Sequence, residues 1–188
     1  MAARCRRSAG GVPLLNSLRD DPILGPAYEY WNSKCGGRAM PRRRDIDPTE
    51  IPRLLPHLQI TEFVDGGKRI RYRLAGTAVV DAYGGELKGK YFDEVFSGER
   101  LKFVEANYHA MCESKRPVLI RNRYFSPNKV PLVCNRLIMP LSDDGIDINQ
   151  CLTAMRFEYA GETHEWAGQW FSTDPNSDFV AWHREVVD

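Results

Sequence analysis

The stretch GGELKGKY, residues 84–91, is the closest approach in this chain to a loop that cradles a phosphate. Such loops read GxxxxGK[ST]: backbone N–H groups and a lysine hold the phosphates, and a small hydroxyl holds magnesium. Here the last position is Tyr91, and the segment follows a helix-like run where a strand is required. A turn whose glycines take positive φ accounts for it instead. His109 has Glu105 and Glu113 four residues to either side, and falls about 90–100° from the apolar stripe of its segment. That is the setting of a solvated histidine paired with a glutamate. His57 sits beside Pro56 and reads as structural, and His164 and His183 have no second ligand at metal spacing. Cys5, Cys35, Cys112, Cys134 and Cys151 are widely spaced with no CxxC pair, which points to reduced thiols rather than zinc or disulfides. No serine has a histidine and an acid arranged around it, and Glu158 and Glu162 are spaced like a solvated pair. The sequence therefore assigns no catalytic residue and no metal ligand, and it does not read as an enzyme.

Binding chemistry is what remains. Arg71, Arg73, Arg121, Arg123 and Arg136 fall on strand-like runs, with 71/73 and 121/123 each sharing a face. They read either as an anion site or docking surface, or as stems laid over a sheet with heads paired to Glu62 and Glu158. Ile60, Tyr72, Leu74, Tyr124, Leu137, Met139 and Met155 are expected to line a pocket, with Val104, Tyr108 and Met111 opposite. Tyr72, Tyr108, Tyr124, Asn122 and Asn135 are the polar contacts such a pocket needs. A dry core made of the same residues is the competing reading, because period-2 alternation offers two faces and does not choose between them.

The elements that must position these residues can be read from breaks and caps. Asp21-Pro22 opens a helix running from Ile23 to about Lys34 and ending at Gly36-Gly37. In RRRDIDPTEIPRLLPHLQI, residues 42–60, Asp47 caps a turn, Pro48 takes its first position, and Glu50 stands at the capping-box position. Pro52 imposes a kink and Pro56 a stop. LQITEFV (58–64) and IRYRL (70–74) alternate around Gly66-Gly67 and read as a hairpin. Short helical pieces follow at 76–83 and 90–96. The clearest helix runs from Ser97 to Lys115-Arg116, with Pro117 as its stop. VLIRNRYF, LVCNRLIMPL and CLTAMRFEY read as three more strands. The spacing of Phe179, Trp182 and Val186 predicts a final helix over 177–187. The sum is an α+β fold, a five-stranded antiparallel sheet with helices on one face.

The chain has 188 residues and 43% hydrophobic content, enough for one domain with extensions. Residues 1–44 hold nine Lys/Arg against three Asp/Glu, and the remainder holds seventeen against twenty-two. A basic arm before a mildly acidic domain follows, without the interleaved aromatics of a nucleic-acid platform. The expected division is a disordered arm at 1–20, a flanking helix and proline-spaced docking segment at 21–56, a core at 57–160, and an extension at 161–188. No apolar run is long enough for a membrane span, and a cytoplasmic location is expected.

The motifs in order are Tyr30-Trp31, Gly37-Arg38, the Asp45 to Pro56 element, Arg71 to Thr77, and the Gly84, Leu87, Gly89 turn. Together they resemble the bacterial PAS-like family of single-domain proteins over about Tyr28 to Tyr159. The resemblance implies the sheet-and-helix fold just described and a sensory or docking module. Such a module binds a small molecule or a signalling partner protein without catalysis, and pairs as a homodimer through its flanking helices. A ligand-free dimerisation or interaction module is the alternative, and an enzyme using the inter-layer cavity stands further back. Some relatives hold haem through a histidine on the long helix, which makes His109 the haem candidate. Photoreactive flavin relatives carry an Asn-Cys-Arg motif where this chain reads YFDEVFSGER, without cysteine. The identity of any cofactor stays open.

Overall fold

The computed structural model describes residues 18–125, 131–159 and 179–187. Asp21 starts the first helix: its Oδ1 accepts the amide hydrogens of Ile23 and Leu24, both at 2.9 Å. Helix α1 runs Leu24–Cys35 and ends on Gly36, whose φ of 55° is left-handed. Leu24, Ala27, Trp31 and Cys35 form its buried stripe. Leu18, within the stretch expected as an arm, is buried in the same cluster.

The proline-spaced segment folds as two 3-10 turns, Pro48–Glu50 and Leu55–His57. Asp47 caps the first by accepting from the Thr49 amide at 2.9 Å. Two details differ from the sequence expectation. Glu50 does not close a capping box; it takes the Tyr30 hydroxyl at 2.9 Å and Lys34 at 2.5 Å, which ties the segment to α1. Pro56 lies inside the second turn rather than stopping it, because a first-turn position needs no N–H from proline. The segment then presses on Gly76. A Cβ there would lie 2.1 Å from the Leu55 carbonyl oxygen and 2.4 Å from that of Pro56. The Gly76 amide donates to the Leu58 carbonyl at 2.7 Å. The three prolines thus make a stiff brace that sets the start of the first strand against the end of the second.

Strands β1 (Leu58–Val64), β2 (Arg69–Ala75), β3 (Val118–Phe125), β4 (Pro131–Leu141), β5 (Gln150–Tyr159) and β6 (Phe179–Val186) form one antiparallel sheet in the order β2-β1-β5-β4-β3-β6. Between β2 and β3 lie α2 (Thr77–Tyr83), α3 (Phe92–Val95) and α4 (Gly98–Ser114). The sixth strand is a correction, since residues 179–186 were expected as helix. The register explains it: His183 pairs with Arg121 and Ala181 with Asn122, leaving Trp182 as the extra residue of a bulge. A bulge interrupts period 2, so Phe179, Trp182 and Val186 mimic helical spacing. The unpaired edge of β3 decides the outcome.

The opposite edge is covered too. Tyr72 N–H donates to the Lys90 carbonyl at 2.9 Å, and Gly89 N–H donates to the Tyr72 carbonyl at 2.8 Å. The glycine loop that resembled a phosphate cradle uses its Gly89 amide and its Lys90 carbonyl on β2.

Both faces of the sheet are buried. On one, α1 packs over Leu58, Ile60, Leu119, Leu137, Met139, Leu152 and Ala154. On the other, α2, α3 and α4 cover Ile70, Tyr72, Val118, Ile120, Cys134, Ile138, Cys151 and Met155. Helices therefore lie on both faces, α1 on the side away from α4. Among the described residues no helix is long and apolar enough to cross a membrane.

Three outcomes test this frame. Trp31 is buried and donates its indole N–H to the Pro140 carbonyl at 2.9 Å. Trp31→Ala is expected to lower stability by about 3–5 kcal/mol in denaturant melts; a loss under about 1 kcal/mol would remove α1 from the core. Gly76→Ala is expected to cost about 3 kcal/mol, because the obstructing atoms are backbone carbonyls. Asp47 has its pKa lowered from 3.8, first by the Thr49 amide and then by the Thr49 hydroxyl. The cap therefore stabilises fully above pH 3.8 and is lost as pH falls through the lowered value. The Thr49 amide shift in NMR should titrate with a midpoint below 3.8, and a midpoint at or above it contradicts the cap.

Candidate ligand site

The space between the sheet and α4 is where the described residues concentrate buried polar chemistry. On β1, β3, β4 and β5, alternation turns Gln59, Thr61, Asn122, Arg136 and Thr153 to the same side as Ile120, Ile138 and Met155. All five polar residues are buried. From α4, Tyr108 descends among them with 0% exposure. Its hydroxyl accepts from Gln59 Nε2 at 2.8 Å and forms a hydrogen bond with Thr153 Oγ1 at 3.3 Å in which either hydroxyl can donate. Arg136, 3% exposed, donates from Nη2 to the Tyr83 hydroxyl of α2 at 2.9 Å. Phe92 stacks edge-on against Tyr108 at 5.0 Å and lies 4.8 Å from the Tyr72 ring. The result is a hydroxyl-and-amide line set in an aromatic and aliphatic wall.

Burial sets the electrostatics. It pushes the Tyr108 phenol up to about 12, with the Arg136 charge pulling the other way. Burial also raises Tyr83, again opposed by Arg136, and raises Tyr72 well above its ordinary value. At Arg136 itself, burial disfavours the charge, and Tyr83, Cys134, Tyr108 and Tyr72 displace it upward only once they ionise at high pH. The phenols thus stay protonated and the guanidinium charged at neutral pH. Burial likewise raises the Cys134 and Cys151 thiols and pushes Cys112 up to about 11. None of these three thiols is an activated nucleophile. Among the described residues no three of His, Cys, Asp and Glu come together as a metal site.

The residues expected to line a pocket divide between the two faces. Tyr72, Val104, Tyr108, Met111, Asn122 and Met155 meet between sheet and α4. Ile60, Leu137 and Met139 lie on the opposite face beneath α1. Asn135 is on that face too, donating to Glu158 at 2.6 Å. The reason is that β4 is apolar at successive positions, so both of its faces are buried and alternation carries no sign. Leu74 is 41% exposed: the bulge opposite Ile60/Thr61 skips Arg73 and turns Leu74 away from the Tyr72 side. The Tyr124 side chain lies outside the described residues.

Of the five arginines proposed for anions or docking, Arg71, Arg73, Arg121 and Arg123 face away from α4, while Arg136 faces it. Arg71 and Arg73 share Glu62, the latter at 3.5 Å. Arg121 reaches Glu158 at 3.6 Å. Arg123 is 2% exposed, and burial, then Arg121, lowers its pKa. His109 is exposed on α4 and borders a surface cleft of about 560 Å³ with Cys112, Lys115 and Asp147. It is outside the inter-layer space, which takes from it the position a haem ligand there requires.

Gln59, Tyr83 and Thr153 were not singled out from the sequence, and Arg136 was grouped with the surface arginines. One signal was available for Arg136: in LVCNRLIMPL it shares a face with Cys134 and Ile138, both apolar. A charge in that row belongs to a buried face or to none.

The comparison with curated proteins gives no match. Among solved structures, the LOV protein of Rhodobacter sphaeroides aligns at TM-score 0.46 and 12% identity, covering 63% of this chain and 71% of that one. A point variant of RsLOV aligns at TM-score 0.44 and 11% identity, covering 64% of this chain and 73% of that one. The PAS domain model matches residues 21–155, from the Asp21 cap to Met155 on the inter-layer face. That span contains α1, the proline brace, the first four strands, β5 as far as Met155, and α2 to α4, and the chain belongs to the PAS domain family.

Proposed function

We propose that this chain is a sensory module that takes a small molecule between its sheet and α4 and signals without catalysis. The observation that carries the reading is the polar line of Gln59, Tyr108, Thr153, Asn122 and Arg136, buried where an apolar core would be cheaper. Pockets that recognise ligands have this composition, an apolar wall with a few convergent polar groups. Family membership supports the same assignment.

A ligand there touches two layers at once: β1, β4 and β5 through Gln59, Arg136 and Thr153, and α4 through Tyr108. It can shift the position of α4 against the sheet only as far as it prefers one arrangement over the other. Output then passes to a signalling partner protein that reads the moved surface. For a homodimer, α1 offers little: its Leu24, Ala27 and Trp31 stripe is already buried on its own sheet. The alternative, a ligand-free interaction module of the same fold, keeps the polar line as structure.

Native mass spectrometry of freshly purified full-length protein separates the two. The sensory reading expects a retained small molecule, seen as added mass that disappears on denaturation. Protein found only at its bare mass, with no mass gained from a metabolite extract, contradicts it.

A further inference from the structure

Arg136 has no carboxylate, unlike Arg71, Arg73, Arg121 and Arg156. Arg71 and Arg73 have Glu62, and Arg121 and Arg156 have Glu158, with Asp21 also on Arg156. Arg136 is 3% exposed, forms no ion pair with any described residue, and has the neutral Tyr83 hydroxyl as its hydrogen-bond acceptor. Its Nε–H has no acceptor among the described residues, and the Cys134 thiol beside it is a weak one. A buried charge without a counter-charge is strongly disfavoured.

Asn122 Oδ1, Gln59 Oε1 and Thr61 Oγ1 on the same face are also unpartnered among the described residues. The register places Asn122 next to Arg136 across the β3–β4 pair: Ile120 faces Arg136, and Asn122 is two residues on, opposite Cys134. Which end of an amide carries the nitrogen is an assignment, so Asn122 can turn its NH2 toward an incoming acceptor.

From this we infer that the inter-layer site takes an organic monoanion, a carboxylate with an apolar tail, whose head group sits on Arg136 Nε with Asn122 as second donor. The tail belongs among Ile120, Ile138, Met155 and Phe92, which are all buried on this face. One guanidinium suits a single negative charge and its planar geometry. A phosphate dianion needs more donors than this face supplies. The inference rests on the sensory reading above and adds the ligand's charge to it.

The test uses octanoate and octanamide, which share a tail and differ in charge, titrated calorimetrically into the full chain. Octanoate is expected to bind about tenfold to a hundredfold more tightly than octanamide, the range of a charge-assisted hydrogen bond. Arg136→Met is expected to fold, since apolar replacement of a buried charge is commonly tolerated, and to abolish the preference for octanoate. The wild-type comparison stands even if the variant does not fold. Equal binding of both probes overturns the anion site and leaves a neutral-ligand sensor standing. A preference for octanoate that survives Arg136→Met overturns it by placing the anion elsewhere. No binding of either probe overturns it as well, while the sensory reading is judged separately by the native mass measurement.

Discussion

A sheet buried on both faces leaves its central strands no watered side on which to place a polar group. Strands β4 and β5 are in that position, with α1 over one face and α4 over the other. Every polar side chain they carry must find its partner inside the protein. On the α1 side the rule holds through ion pairs: Glu158 meets Arg121 and Arg156, and Asn135 donates to Glu158. On the α4 side it holds for the Tyr108 and Thr153 hydroxyls and the Gln59 amide nitrogen, and it fails for the Gln59 and Asn122 amide oxygens and for the Arg136 charge. That failure is the feature from which the functional reading grows.

The supporting structure follows from the same constraint. A two-sided core needs a second covering layer, and α1 supplies it, held at one end by the Asp21 cap and along its length by Trp31 on Pro140. The proline brace fixes the angle at which β1 enters, because the Leu55 and Pro56 carbonyls sit against Gly76 with no room for a side chain. In the proposed sensory reading, adjustment falls to the contact between α4 and the sheet, the layer opposite α1.

How much of this the sequence discloses depends on whether a signal is local. Asp21-Pro22, Asp47-Pro48, Gly66-Gly67 and Pro117 mark boundaries because caps, turns and stops act over a few residues, and the elements fall where those marks put them. The long helix and the first five strands were legible for that reason. Facing is not local. Leu137, Ile138 and Met139 are all buried, so nothing in their order says which one meets α1 and which meets α4. Bulges hide from pattern in the same way: one extra residue at Arg73 turned Leu74 outward, and one at Trp182 disguised a strand as a helix. Arg136 was visible as a charge among apolar neighbours, yet only the covering of both faces shows that its head cannot reach water.

The account turns on what lies against Arg136. A high-resolution crystal structure of the protein as purified from cells addresses this directly. The account predicts electron density for an organic anion with an oxygen about 3 Å from Arg136 Nε. An Arg136 head turned out to solvent, or one closed in by protein groups with no density beside it, would contradict it.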